Sequence, residues 1–162
     1  LVNALNKGEL YELFDKLGEE NNSRSLAEAL VFARRIKPIT TTGELARIIN
    51  RRTIFLRKRE KRLGRRGKIH PATQAFQALR IAVNDELNAI RMGLDQIKDL
   101  VKGKIVVINF HSLEDRIVKN TFRDWESRGI GEILTGKPII PTDIEIRENP
   151  RSRSAKMRVF KI

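Results

Sequence analysis

After Gly103 the apolar period of the chain changes. Lys104 to Phe110 reads KIVVINF, a short, β-branched and nearly continuous apolar run. That pattern is the signature of a strand buried on both faces of a parallel sheet, and it constrains the fold more than any other feature. Such a strand needs a neighbour on each side and helices above and below. The flanks supply the helices. Pro71 opens a long pattern of Phe76, Leu79, Val83, Leu87, Ile90, Leu94 and Ile97, expected as one helix with a bend near Gly93. Downstream, Ser112-Leu113-Glu114-Asp115 is expected to cap a helix carrying Ile117, Val118 and Phe122 to about Trp125. Helix, strand and helix make an αβα unit. A last strand is expected at KMRVFKI, Lys156 to Ile162, after a loop-rich stretch with Pro138, Pro141 and Pro150. Two or three strands do not complete a sheet buried on both faces, so much of it is expected to be missing or supplied by another chain. Leu1 in place of Met points the same way, toward a start inside a longer reading frame. Uncovered sheet edges are then an aggregation hazard.

The N-terminal part is helical. Leu10, Leu13, Phe14 and Leu17 recur at helical spacing before Gly18, and Leu26, Ala29, Leu30 and Ala33 repeat the pattern after Asn22 and Ser23. Pro38 breaks the chain, and Thr41-Thr42-Gly43-Glu44 has capping-box spacing ahead of Leu45, Ile48 and Ile49. A chain of 162 residues buries roughly two-thirds of its unfolded surface, so its core needs neither disulfides nor a structural metal. With no Cys and two His, thiol nucleophiles and Cys-ligated metal sites are excluded, and no metal is expected. The longest apolar run is far short of the roughly 20 residues that span a bilayer. A cytoplasmic protein without a membrane partner is expected.

Net charge is +13, concentrated in two places. Arg51 to Lys68, RRTIFLRKREKRLGRRGK, has ten basic residues against Glu60 alone, and Arg147 to Ile162 has six against Glu148 alone. Neutralising several phosphates releases counterions and gives salt-sensitive affinity, so the clusters suit RNA or DNA. A solvated linker is the plainer alternative for the first. Within it the candidate phosphate contacts are Arg57, Lys58, Arg59, Lys61, Arg62, Arg65, Arg66 and Lys68.

Three constellations could carry chemistry. Asn109-Phe110-His111-Ser112-Leu113-Glu114-Asp115-Arg116 lies where a strand ends and a helix begins, the place where open sheets bind ligands. Asn109, His111, Glu114 and Asp115 are the candidate acceptors or bases there, and Ser112 and Arg116 candidate RNA contacts. The plainer reading makes Ser112 a cap and the two carboxylates complements of the helix dipole. The second runs from Lys68 through His70 to Gln77 and on to Arg80, Asn84 and Glu86; within it Phe76, Gln77, Arg80 and Asn84 fall near one helical stripe, suited to a base or a loop or to a hydrogen-bond network between domains. The third, Asn149-Pro150-Arg151-Ser152-Arg153-Ser154-Ala155-Lys156 with Arg158, offers guanidinium and hydroxyl groups to phosphate.

KIHPATQAFQALRIAVNDE, VVINFHSLEDRIVK and NPRSRSAKMR, in that order and spacing, closely resemble the MraW or RsmH family of bacterial 16S ribosomal RNA cytosine methyltransferases. LVNALNKGELYELFDKLGEENNSRSLAEALVFAR and TTGELARII resemble it too, so the likeness covers nearly the whole chain. It departs locally: Gln74-Ala75 stands where Arg-Thr is commoner, and Asn109 where Ser is commoner. The resemblance implies an α/β fold, the C-terminal part of a Rossmann-like methyltransferase with part of its inserted helical domain and with the first strands absent. Residues 1–68 would be the helical insert, which recognises RNA, and 69–162 the later methyltransferase domain. The implied reaction is methyl transfer from S-adenosylmethionine to a cytosine amine of 16S ribosomal RNA in the small subunit. The family's cofactor loop lies upstream of anything matching Leu1, so no cofactor-binding residue is assigned and the chain alone is expected to be inactive. The rival reading is a non-catalytic RNA-binding or ribosome-associated module that lacks the cofactor half.

Overall fold

A computed structural model describes residues 1–19, 22–51 and 71–162. Two compact units, Leu1–Asn84 and Asp85–Ile162, divide the chain. Arg57, Lys58, Arg59, Lys61, Arg62, Arg65, Arg66, Lys68 and His70 lie outside the described residues, as does the domain boundary expected at residue 68.

The first unit is helical. α1, Lys7–Gly18, starts in a reciprocal box: the Glu9 amide donates to Asn6 Oδ1 at 3.0 Å and the Asn6 amide to Glu9 Oε2 at 2.7 Å. α2 covers Ser23–Ile36 and α3 covers 42–51. α4, Pro71–Asn84, packs on α1. The approach is close because Gly18 lacks a side chain: a Cβ there would sit 3.2 Å from the Gln74 carbonyl oxygen. Leu10, Phe14, Leu30, Ala75 and Ala78 are fully buried in this core. Arg34 ties the leading segment down by donating to the Val2 and Leu5 carbonyls, and Asn3 bonds both backbone groups of Ile39. By packing, α4 belongs to the first unit.

The long helix expected from Pro71 to Ile97 is broken, and not at Gly93. Asp85 takes a left-handed conformation, φ 50°, separating α4 from α5, Glu86–Leu100. Asn and Asp tolerate that region better than other non-glycine residues. The Asn88 side-chain Nδ2 donates to Asp85 Oδ1 at 2.8 Å and to Oδ2 at 3.1 Å.

In the second unit, β1 (Lys104–Asn109), β2 (Glu132–Ile133) and β3 (Lys156–Lys161) form one antiparallel sheet in the order β1-β3-β2. α6 spans Ser112–Ser127, and α7, Asp143–Glu148, precedes a 3-10 turn at Pro150–Ser154. The expected last strand is present. The expected parallel pairing of β1 is not found among the described residues, because the chain returns through α7 and β3 runs back along β1 with Ile105 opposite Phe160 and Val107 opposite Arg158. Burial of β1 on both faces is also corrected. Ile105 and Asn109 are 3% exposed, whereas Val106 and Ile108 are 54% and 56% exposed, since helices cover one face only. On that face Phe122, Trp125 and Phe160 stack with ring centroids 5.1 to 5.6 Å apart, over Ile105, Leu94 and Val118. β2 was not expected; it lies so close to β3 that a Cβ on Gly131 would collide with the Lys161 carbonyl. No helix among the described residues is long and apolar enough to cross a membrane.

Candidate functional site

The site lies at the end of β1, where the backbone turns into α6. Its cap is His111, not Ser112. His111 has extended backbone angles, and its Nδ1 accepts the Glu114 amide at 3.3 Å, the bond a serine hydroxyl commonly makes. Glu114 Oε2 reaches back to the amides of Phe110 at 2.8 Å and His111 at 3.2 Å. The amides of Phe110, His111 and Glu114 are thus bonded within the turn, and Ser112 becomes the half-buried first residue of α6.

The cap also fixes the imidazole. With the Nδ1 lone pair taken, the proton of the neutral ring sits on Nε2. Nε2 faces two carboxylates, Glu114 Oε1 at 3.3 Å and Glu86 Oε2 at 3.9 Å, with the His111 side chain only 8% exposed. One potential ligand atom from each of Glu86, His111 and Glu114 lies within 4.8 Å of the others. A cation would need the Nε2 lone pair, however, and hence a ring flipped to the tautomer that cannot cap α6. Nε2 lies within ion-pair distance of both carboxylates without hydrogen-bond geometry to either. Glu86 joins the cluster because the break at Asp85 makes Glu86 the first residue of α5. On an unbroken helix it read as the last member of the second constellation; the Asn84-Asp85 pair was the available signal.

Asp115 has another task. Arg158 Nε donates to Asp115 Oδ1 at 2.6 Å and a terminal guanidinium nitrogen to Oδ2 at 3.0 Å. Lys156 Nζ stands 4.0 Å from Oδ2. The Arg158 hydrogen bonds hold the Asp115 carboxyl below the usual carboxylate range, against the opposing effect of burial. An ionised carboxylate gripped on both oxygens is a poor base. Arg158, expected to face phosphate, is 5% exposed and spends its guanidinium on Asp115. Asn109 shares this face of the sheet, opposite Lys156 in register, and its buried Nδ2 has no hydrogen-bond partner among the described residues.

The remaining candidates are spread out. Arg151 and Arg153 are exposed on the 3-10 turn, whose cap is Asn149: its side chain accepts the Arg151 amide at 3.3 Å. Arg116 is exposed on α6. Arg80 and Asn84 are exposed on α4 in the first unit. The structure therefore joins His111 with Glu114, and Asp115 with Arg158 and Lys156.

The model of the MraW methylase family matches residues 1–162. Curated relatives carry the name ribosomal RNA small subunit methyltransferase H. That of Coprothermobacter proteolyticus is 48% identical over 99% of this chain and 51% of its own length. That of Persephonella marina is 50% identical, covering 99% and 53%, and that of Campylobacter curvus 42%, covering 100% and 55%. The chain spans about half the length of the curated relatives it matches.

Proposed function

The chain belongs to the MraW methylase family, and on that premise we propose that it is the later portion of an S-adenosylmethionine-dependent enzyme that methylates a cytosine exocyclic amine in 16S ribosomal RNA. The observation that carries this reading is β1. Among the described residues it pairs on one edge only, shows Val106 and Ile108 on a bare face, and ends in the His111 turn. An edge and an apolar face of this kind suit a sheet continued by further strands and a second helical layer, as in a Rossmann-like domain. The half of the relatives' length that this chain does not span is the proposed source of both.

The methyl donor does not fit the residues described. β1 passes through Phe110 and His111 straight into α6, the amides at that turn are bonded to Glu114, and no Gly-rich turn lets a cofactor approach the backbone. The donor is therefore assigned to the missing half, and no step is routed through it here. What this chain offers is orientation and proton acceptance. A cytosine amine is a weak nucleophile because its lone pair is delocalised into the ring, so it must be held in line and relieved of a proton. We assign that environment to Glu86, His111 and Glu114, with Asp115 and Arg158 positioning the first turn of α6. Asn109, with a donor to spare, remains a candidate contact. Residues 1–68 are proposed to recognise RNA, with the basic stretch from Arg51 to Lys68 and the exposed Arg151 and Arg153 facing phosphates. A ribosomal substrate implies a cytoplasmic location.

The second reading, a non-catalytic RNA-binding module, draws on the +13 charge and its two clusters. Two experiments separate them. Isothermal titration of the chain with S-adenosylmethionine, with and without small-subunit RNA, should show salt-sensitive RNA binding and no cofactor binding; micromolar cofactor binding by the chain alone would overturn the placement of the donor site. Methyl transfer is then assayed after adding the preceding half of a relative. Restored transfer to a cytosine amine supports the enzyme, and intact RNA binding without transfer supports the module.

A further inference from the structure

The first unit carries an apolar groove that the proposed reaction does not use. It lies between α2 and α3, has a volume of about 600 Å³, and is walled by Ala29, Phe32, Ala33, Ile36 and Ile48. Phe32 is 68% exposed and Ile36 76% exposed. On α2 these residues recur at spacings of three and four and make one stripe, while Leu26, Ala27 and Leu30 make another that is buried in the core. Ala33 and Ile48 pack against the core at the floor of the groove, whereas Phe32 and Ile36 are left uncovered among the described residues.

The groove is lined at its edges by Arg51 and by Glu28, whose carboxylate meets Lys7. Arg51 lines it and, with Ala33 and Ile48, also borders an adjoining cleft of about 230 Å³ that includes Lys37 and Arg47. Arg35, exposed, stands one turn beyond Phe32. Neither Arg35 nor Arg51 is engaged by an acid among the described residues. The acids nearby are already answered: Glu28 meets Lys7 at 2.7 Å, and Glu44 meets Lys37 at 3.1 Å. An exposed aromatic face flanked by unengaged guanidinium groups has the chemistry of single-stranded nucleic-acid binding, in which a base stacks on the ring and its phosphates meet the cations.

We propose that the α2–α3 groove is a subsite for single-stranded RNA, in which Phe32 stacks on an unpaired base and Arg35 and Arg51 hold the phosphates beside it. The inference rests on the RNA-binding reading above but not on methyl transfer. The test is fluorescence anisotropy of the full chain with a labelled, unstructured RNA of about 12 nucleotides, and with a strand of equal length lacking its bases. Phe32→Ala should weaken binding to the intact strand about tenfold and leave the baseless strand unaffected. Phe32→Tyr should keep the affinity, and Arg51→Gln should lower the slope of log K against log salt by about 0.7. Because Phe32 is exposed, the Ala variant should keep its helical circular dichroism. Wild-type binding that Phe32→Ala leaves unchanged, or weakens equally on both strands, overturns the groove alone. Loss of self-association in Phe32→Ala with RNA binding intact assigns the groove to a second copy and overturns it too. A wild-type chain with no salt-sensitive RNA binding overturns both the groove and the RNA reading.

Discussion

α3 and α6 begin with the same device built from different chemistry. At α3 the Thr41 hydroxyl accepts the Glu44 amide at 3.1 Å and Glu44 accepts the Thr41 amide at 3.3 Å. At α6 an imidazole replaces the hydroxyl, and Glu114 plays the part of Glu44. The α3 box sits among exposed partners, Thr40 and Lys37. The α6 box is half-buried, its cap is titratable, and the next residue is locked by Arg158. A hydroxyl cap has one protonation state near neutrality. An imidazole cap works only while Nδ1 is bare. α3 therefore reads as a helix start alone, whereas α6 couples a helix start to a proton.

The largest effect should come from removing the lock that α3 lacks. Arg158→Met leaves the buried Asp115 carboxylate without its two hydrogen bonds and with only the Lys156 ammonium 4.0 Å away, and should destabilise the second unit by about 3 kcal/mol. The double variant Arg158→Met, Asp115→Leu should recover most of that loss, because no charge is stranded. Trp125 is the only tryptophan and lies in the core of this unit, so its fluorescence in urea reports this unit by itself. A single variant that unfolds at the wild-type midpoint would show that the ion pair does not hold α6 to β3.

Next come the caps themselves. Thr41→Ala should cost about 1 kcal/mol, and His111→Ala about 1 to 2 kcal/mol, because the half-buried Glu114 amide is less easily taken over by water than the exposed one at α3. His111→Asn restores a good cap without a titratable ring and should unfold within a few tenths of a kcal/mol of wild type. Once transfer is reconstituted with the missing half, the Asn variant should be stable yet impaired if the proton matters to the chemistry. Nitrogen chemical shifts of His111 should show the neutral ring protonated on Nε2. A proton on Nδ1 would mean that the ring does not cap α6 and would free Nε2 for a cation.

What was legible beforehand divides along physical lines. Helix periodicity, the Thr41 box and the last strand depend on neighbours in sequence, and each was found. Asp85 was missed because an apolar pattern continues in phase through a single left-handed residue, so the break carries no signal in the period. The naked face of β1 was missed because KIVVINF encodes a strand covered on both sides, and the helices of this chain cover one. That mismatch is the observation on which the proposed larger sheet rests. The Arg158–Asp115 pair joins residues 43 positions apart, and nothing local told Arg158 from the exposed Arg151 and Arg153. The choice of His111 over Ser112 as cap turned on one residue of register.

The smallest effect concerns the proton dependence of the α3 box. The Thr40 amide, then Lys37 and the Thr40 hydroxyl, bring the Glu44 carboxyl down from 4.5 to about 2. A carboxyl depressed in the folded state adds stability above its unfolded pKa and loses it as the pH falls through the folded one. The Glu44 contribution should thus be complete above about pH 5, and decline between 4.5 and about 2. Asp115 is shifted in the same direction, so wild type alone does not isolate Glu44. Glu44→Gln does. Its urea midpoint, followed by circular dichroism, should lie slightly below wild type at neutral pH and converge with it toward pH 2, because protonated Glu44 and Gln present the same neutral acceptor. The gap at neutral pH should also shrink in salt, since Lys37 is largely exposed. A difference that persists unchanged down to pH 2 would mean that Glu44 acts through the shape of its side chain, and the contrast between a fixed cap at α3 and a titratable one at α6 would lose its electrostatic basis.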